Sequence, residues 1–523
     1  MTKSRVGIWL TQGAIVFAAI FLRTLFLGKQ GLFLDEAWSW MASQLTVAEI
    51  LKLLQSDPHP ILYYLVLKAY LWVFPSSEAG LRFLSVLFSV ISVGIILFIA
   101  SRWFGKRAAL IAGLLITLSS FDIYYAQETR MYTMLALLWV LSLFLLLHAL
   151  QGHHLFFILW GLVNIALVWT HFYGMLVVIT HLIIASGVWS VSLLKKRVLP
   201  QSNRWQSWPS EIPSKFFSLG MGISFTAIIS IFPVIWKYKS AGAGGAWIPG
   251  YEDIAYLFGL LSIGLAAART YFLDSAYLVI PALSDVPLLV WGLLGMVFFG
   301  GMAVWGIVTG WKSQTTARWV IVSTLASILL PIMGAFIYAI VFERAAWAYK
   351  PFIGAMYLFF LFVGLGFARI SQPAFRYSVV IIVICLSLIS LIPYYTTWQK
   401  SDARMAFQSL PELSDHEVVL VEKAYLSPLA YYYLGQNAQI IQVLGTNAYN
   451  STDALLVRVD FGDTLLGRRQ SLDCDACIWD SITSLWVYGA NSRVWQDYQN
   501  WPDCVKNKDL YLFENGRWVP LDS

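Results

Sequence analysis

Residues 131–150 read MYTMLALLWVLSLFLLLHAL and hold no charged side chain. An α-helix rises about 1.5 Å per residue, so about 20 apolar residues span the roughly 30 Å hydrocarbon core of a bilayer. A helix lying on a soluble core has one apolar face and one polar face. This run is apolar on every face and predicts a transmembrane helix. Residues 81–100 follow the same pattern, with Arg82 at their start as the one charge.

Working outward, spans are predicted near 6–27, 80–101, 107–120, 131–149, 155–170, 172–194, 216–236, 286–310, 319–341, 351–368 and 375–395. Runs 107–120 and 155–170 are short for a crossing. Composition agrees. Of 523 residues, 59% are hydrophobic and 12% charged, against about 25% charged in an ordinary soluble domain. Signal-peptide cores run to about 7–15 residues. The first run is longer and lacks a small-residue cleavage site, so it is expected to remain as a helix.

About eleven crossings put the two ends on opposite sides. The loops 1–5, 102–107, 195–215, 312–318 and 369–376 carry Lys3, Arg5, Arg102, Lys106, Arg107, Lys195, Lys196, Arg197, Arg204, Lys215, Lys312, Arg318, Arg369 and Arg376, with Glu211 their one acid. Such an excess of Lys and Arg marks the cytoplasmic side. The other acids before position 400, among them Asp35, Glu36, Asp122 and Glu128, then fall outside. The net charge of +6 is spread over loops rather than gathered in one patch, which argues against a nucleic-acid partner.

After Thr396 charges return and apolar runs shorten. Residues 418–422, 440–444, 455–459 and 484–488 read as strands, and 426–434 and 494–501 as helices. Residues 510–520 read as a hairpin turning at Asn515-Gly516. The expected fold is an all-α polytopic membrane domain, 1–395, followed by an extracytoplasmic soluble α/β domain, 396–523. Cys385 is an apolar filler in a span. Cys474, Cys477 and Cys504 allow one disulfide in an oxidising compartment, and without a second CxxC they make a poor zinc site. The apolar stretch 61–74 is too short to cross and reads as an interfacial or re-entrant helix. The glycine run at 241–245 reads as a hinge or a plain connector.

The outer loops carry a set of polar strings. They are FLDEAWSW at 33–40, DPHPILYY at 57–64, SEAGLR at 77–82, IYYAQETRMY at 123–132 and WTHFYG at 169–174. An Asp-Glu pair among aromatics is poorly solvated, which raises a carboxylate pKa and suits a general base. Read singly, each string has an ordinary alternative. Acidic loops are common, a lone histidine is most often a structural hydrogen-bonder, and Arg82, Arg130, Arg344 and Lys350 can snorkel to the interface. Tyr124, Tyr125 and Tyr132 fit an aromatic belt.

Taken in order and spacing, the strings resemble the GT-C superfamily of polytopic glycosyltransferases. The nearest branch is the bacterial dolichyl-phosphate-mannose–protein mannosyltransferase-like group (family 39), which also resembles the aminoarabinose transferases. The resemblance covers about the first 175 residues and loosens across 240–370, at Trp247-Ile-Pro and at Glu343-Arg344 with Lys350-Pro351. It implies transfer of a sugar from a polyprenyl-phosphate donor to a lipid, glycan or protein acceptor outside a bacterial-type inner membrane, with inversion. It implies Asp35 as the base, with Glu36 beside it and Glu128 completing an acidic wall. Substrate contacts are expected from His59, Tyr63, Gln127, Arg130, His171, Arg344 and Lys350, the arginines and the lysine suiting phosphate oxygens. No cofactor is established. A divalent ion held by Glu128 or Asp35 with His59 stays open, because no fixed ligand spacing is present. A transporter or flippase of lipid-linked sugars is the alternative. The acids in loops and the lack of a visible internal repeat weigh against it.

Overall fold

The structure is a computed structural model. It describes residues 3–53, 59–198, 212–237, 248–263, 295–313, 317–344, 347–396, 403–414, 417–421, 426–438, 440–444, 455–458, 470–471, 483–488, 508–514 and 516–520. The helices in chain order are α1 (Lys3–Thr24), α2 (Leu34–Gln44), α3 (Val47–Leu53), α4 (Leu62–Tyr70) and α5 (Glu78–Gly94), which runs through a π-turn (Ile95–Ile99) into α6 (Ser101–Phe104). Then come α7 (Lys106–Leu118), α8 (Ser120–Ala126), α9 (Tyr132–Leu150), α10 (Phe156–Thr170), α11 (Tyr173–Val198), α12 (Ser214–Lys237) and α13 (Tyr251–Ile263). Last are α14 (Gly301–Ser313), α15 (Arg318–Val341), α16 (Ile353–Ala368), α17 (Pro373–Thr396), α18 (Ala403–Gln408) and α19 (Ser427–Leu434).

Contacts divide the chain into two compact units. One comprises Met1–Leu25, Pro58–Tyr63 and Arg82–Trp398; the other comprises Phe26–Asp57, Tyr64–Leu81 and Gln399–Ser523. Residues 26–57 and 64–81 therefore group with the tail.

The first unit is helical. Among the described residues, 8 helical segments are long and apolar enough to cross a membrane, or 9 if the bent pair α7–α8 is one crossing. The chain is a multi-pass membrane protein. The described part of each predicted span is helical, and three differ in kind. The run at 107–120 is the first arm of a break, since α8 leaves α7 at 61°. The run at 155–170 is the short apolar helix α10. The run at 286–310 is described only from 295. Helix α16 is the hub, with 94% of its span window buried. A Cβ at Gly364 would lie 2.4 Å from the Ala108 carbonyl oxygen, so the backbones of α7 and α16 touch there. Small residues allow such contact where no hydrophobic force draws helices together.

The break at Ser119 has a chemical cause. Helix α7 ends with carbonyls that have no helical partner. Arg23 of α1 takes two of them, donating from Nη1 to Thr117 O at 3.2 Å and from Nη2 to Ile116 O at 3.1 Å. The same guanidinium pairs with Asp122 of α8, at 2.5 Å from Nη2 and 3.1 Å from Nε to Oδ2. Ser89 of α5 donates to that oxygen at 2.6 Å, and Tyr357 of α16 donates to Oδ1. Both charged side chains are wholly inaccessible. Asp122, expected among the outer acids, is instead locked in the helical core.

A second buried chain links α9, α10, α11, α12 and α15. Ser142 donates to Asn164 Oδ1 at 2.6 Å, so its hydroxyl must accept from His181 Nδ1 at 2.8 Å. His181 Nε2 then accepts from Ser327 Oγ at 2.9 Å, and Ser327 accepts from Trp139 Nε1 at 3.0 Å. Asn164 Nδ2 donates to Ser224 Oγ at 2.8 Å, which donates to Gly220 O at 2.9 Å. Every step is satisfied by a neutral imidazole. No water reaches such groups in hydrocarbon, and partners on neighbouring helices replace it.

The second unit holds a seven-stranded sheet of order β4-β3-β2-β1-β5-β6-β7. The strands are β1 (Glu417–Val421), β2 (Ile440–Leu444), β3 (Leu455–Arg458), β4 (Gln470–Ser471), β5 (Ser484–Tyr488), β6 (Asp509–Glu514) and β7 (Arg517–Pro520). The central strands β2, β1, β5 and β6 are parallel, and antiparallel pairs close both edges. Parallel strands covered on both faces read as continuous apolar runs, as Val418–Val421 does. Strands and helix 426–434 lie where the sequence puts them, and the two-residue β4 adds to them. The expected helix 494–501, the three tail cysteines, the glycine run and Trp247 lie outside the described residues. The stretch 61–74 forms α4, followed by Trp72 and Val73, each 80% exposed.

Removing one partner of a buried ion pair strands the other charge, at a cost of about 3–5 kcal/mol. Arg23→Met should therefore lower thermal stability in detergent sharply. The double variant Arg23→Met/Asp122→Leu, which removes both charges, should recover most of that loss. Equal losses in single and double variants would contradict the assignment.

Candidate active site

Helix α8 ends at Ala126 and the chain turns through residues 127–131. Gln127 holds the entry to this turn. Its Nε2 donates to the carbonyls of Arg23 and Leu25, each at 2.9 Å, and its Oε1 accepts from Tyr394 at 2.7 Å. Gln127, expected as a substrate contact, is thus engaged in joining α1, α8 and α17. The turn is tight, with Arg130 N–H donating to the Glu128 carbonyl at 2.8 Å. Both side chains are buried, Glu128 at 2% and Arg130 at 3% exposure. Arg82 is likewise buried, at 2%, and does not snorkel.

Cationic and imidazole groups gather around Arg130. Its Nη2 lies 3.5 Å from His59 Nε2. The His59 ring is 5.9 Å from His171, which is 6.0 Å from Tyr132. Lys350 Nζ sits 5.5 Å from the centre of the Tyr132 ring. The stretch carrying Lys350 is tied back by Ala348 N–H, which donates to Tyr173 OH at 3.1 Å. Of the expected substrate contacts, His59, Arg130, His171 and Lys350 come together. Tyr63 is wholly buried. Arg344 is exposed just beyond the end of α15, its N–H donating to Ala339 O at 3.0 Å.

His171 lies between α10 and α11. Burial, then the charges of His59, Arg130 and Lys350, hold its pKa well below the usual histidine value. It is neutral near neutral pH. Its Nδ1 accepts from Tyr173 N–H at 3.1 Å, so Nε2 carries the proton. The cluster thus offers two cations and an imidazole N–H donor. Arg binds phosphate oxygens in a fork, and Lys as a point charge.

The carboxylates of the first loop belong to the other unit. Glu36 is wholly buried in the first turn of α2, and its Oε2 accepts from Phe33 N–H at 2.9 Å. That bond, with Glu36 N–H donating back to the Phe33 backbone carbonyl at 3.0 Å, ties down the start of the helix although Phe33 has no side-chain acceptor. Asp35, one residue earlier, is half-buried. The cap turns the two acids to different tasks. Among the described residues, no three His, Cys, Asp or Glu side chains converge as metal ligands.

Residues 58–200, about a quarter of the chain, match the family described as dolichyl-phosphate-mannose-protein mannosyltransferase. This bears out the resemblance read from the residues over that segment. No curated protein matches the chain. Among solved structures, the chain is similar to ArnT from Cupriavidus metallidurans in the apo state, at 11% identity over 84% of this chain and 86% of that one, with a TM-score of 0.49. The form bound to undecaprenyl phosphate gives 11%, 83%, 86% and 0.48. The oligosaccharyltransferase of Archaeoglobus fulgidus in the apo form gives 12% identity over 82% of this chain and 63% of that one, with a TM-score of 0.44. The chain thus spans less than two thirds of the length of that archaeal protein.

The depressed His171 pKa has a sign. Between that value and about 6.5, the unfolded chain binds the proton and the folded chain does not, so stability rises with pH through that window and levels above it. His171→Gln cannot titrate. It should lose less thermal stability than the wild type as pH falls from about 7 to about 5.5. Parallel losses in both proteins would show that His171 is protonated when folded.

Proposed function

We propose that the chain is a membrane glycosyltransferase that moves a sugar from a polyprenyl-phosphate donor to a lipid, glycan or protein acceptor. The carrying observation is the convergence of His59, Arg130, His171 and Lys350 in one cluster, with Arg130 and His171 buried and His59 and Lys350 half-buried. The family match over 58–200 supports it, since this segment includes all but Lys350.

The chemistry follows from the groups. Phosphate is a good leaving group, so the reaction needs charge at the departing oxygens more than a strong acid. Arg130 and Lys350 supply that charge, and the imidazoles supply donors. Asp35 takes the proton from the acceptor hydroxyl or amine as that atom attacks the anomeric carbon. The bond from carbon to phosphate oxygen breaks with its electron pair on the phosphate. One displacement inverts the anomeric centre. Glu36 serves the start of α2 rather than the proton transfer. In this reading Lys3 is cytoplasmic and the sheet domain lies outside a bacterial-type inner membrane, which the excess of Lys and Arg in the loops on one side supports as far as orientation goes.

Purified protein in detergent should release polyprenyl phosphate from a labelled lipid-linked sugar. Asp35→Asn keeps the size and removes the base, and should lower turnover by about 10²–10⁴ with donor affinity kept. Arg130→Gln should weaken donor binding first. An Asp35→Asn enzyme with normal turnover would eliminate the base assignment. Movement of labelled lipid across vesicles without any release would favour a flippase instead.

A further inference from the structure

The stretch that leads into α2 is held by side chains far along the chain. Arg404 of α18 donates from Nη2 to the Gly28 carbonyl at 2.9 Å and from Nη1 to the Lys29 carbonyl at 3.1 Å. Its Nη2 also pairs with Glu78 at 2.9 Å. Tyr433 of α19 accepts from Leu32 N–H at 2.7 Å, and its hydroxyl donates to Glu78 Oε1 at 3.4 Å. Burial pushes the Tyr433 phenol up to about 12, so it stays protonated and keeps both bonds. Beside it, Tyr432 meets Trp40 of α2 edge-on at 5.0 Å and donates to Ser76 O at 2.9 Å. A Cβ at Gly31 would lie 2.9 Å from both Arg404 Cβ and Tyr433 OH. The loop backbone therefore lies flat against the two tail side chains, and a residue other than glycine would push it away.

These bonds differ from core packing. On the loop side, the groups held in 28–32 are backbone carbonyls and an N–H, so what is fixed is the path of the chain. From Leu32 one residue remains before α2, and its N–H is already taken by Glu36. No slack separates the clamped segment from Asp35. We propose that Tyr433 and Arg404 are positioning residues for Asp35, so that the C-terminal domain sets the register of the helix that carries the base. This rests on the glycosyltransferase reading above. Displacing a reacting group by about 1 Å can cost about 10² in rate, so loosening the clamp should act on turnover while the cationic cluster still binds donor.

The test uses the full-length protein in detergent, with Tyr433→Phe, Arg404→Gln, Arg404→Lys and Gly31→Ala. Tyr433→Phe removes one oxygen. It should speed amide exchange in peptides covering 28–36, lower turnover at least about tenfold, and leave the affinity for polyprenyl phosphate and the melting temperature near wild type. Gly31→Ala should act in the same way from the loop side. Arg404→Lys, which keeps the pair with Glu78 but not the fork, should fall between wild type and Arg404→Gln. Should Tyr433→Phe unfold the tail, Gly31→Ala and Arg404→Lys decide the matter. Faster exchange with full turnover would overturn the positioning role, and unchanged exchange would overturn the clamp. If Asp35→Asn itself turned over normally, the base assignment would fall while the exchange result still judged the clamp. If Asp35→Asn were inactive and every clamp variant fully active, only this inference would fall.

Discussion

A fully buried ion pair, Arg23 with Asp122, is the constraint on which the helical unit depends. Taking two charges out of water costs several kcal/mol each, and their attraction offsets this only when the remaining donors and acceptors are also met. Here they are met. Arg23 spends its N–H groups on the Ala19, Ile116 and Thr117 carbonyls, on Ser89 and on Asp122. Asp122 also receives Ser89 and Tyr357. The pair therefore joins α1, α5, α7, α8 and α16 at one point. Because it caps α7 and anchors α8, the 61° break between them is a fixed corner. The turn after that corner carries Glu128 and Arg130. Gln127, bonded to the Arg23 and Leu25 carbonyls, repeats the link at the next step. The site cluster is thus built out from a charge in the core.

Each compact unit carries its own set of polar groups. The helical unit supplies cations and neutral donors suited to a phosphate. The other supplies an acid on a short helix whose start is capped by Glu36 and whose approach is gripped by Arg404 and Tyr433. A domain that reads as an accessory tail in the sequence contributes contacts to the loop that carries the candidate base. Those contacts come from its helices, Arg404 of α18 and Tyr433 of α19.

Much of this is legible in the sequence. Hydropathy reports length and apolarity, so the helices and the multi-pass character can be read directly, as can the tail strands from their short apolar runs. His59, Arg130, His171 and Lys350 are each candidates in the sequence, but their meeting is seen only in the structure. What cannot be read is partnership. Asp122 and Glu128 look alike as acids near a span end, and nothing local shows that Asp122 meets an arginine from α1. Arg23 does carry a signal, since an ionisable residue inside an apolar run usually has a function or a partner. His181 carries the same signal. Glu36 lies three residues after Phe33, which has no side-chain cap of its own, so the usual Ser or Thr signature of a capping box is missing. Tyr433 lies 401 positions from Leu32, and no local pattern links them.

The most direct measurement is the affinity for polyprenyl phosphate of the folded Arg23→Met/Asp122→Leu double variant, set beside Arg130→Gln. Both changes in the double variant lie outside the cluster, and removing the pair together avoids a stranded charge. If the buried pair sets the corner that delivers Arg130, binding should weaken in the double variant about as much as in Arg130→Gln. Wild-type affinity in a folded double variant would contradict the account, because the cluster would then form without the constraint from which it is derived.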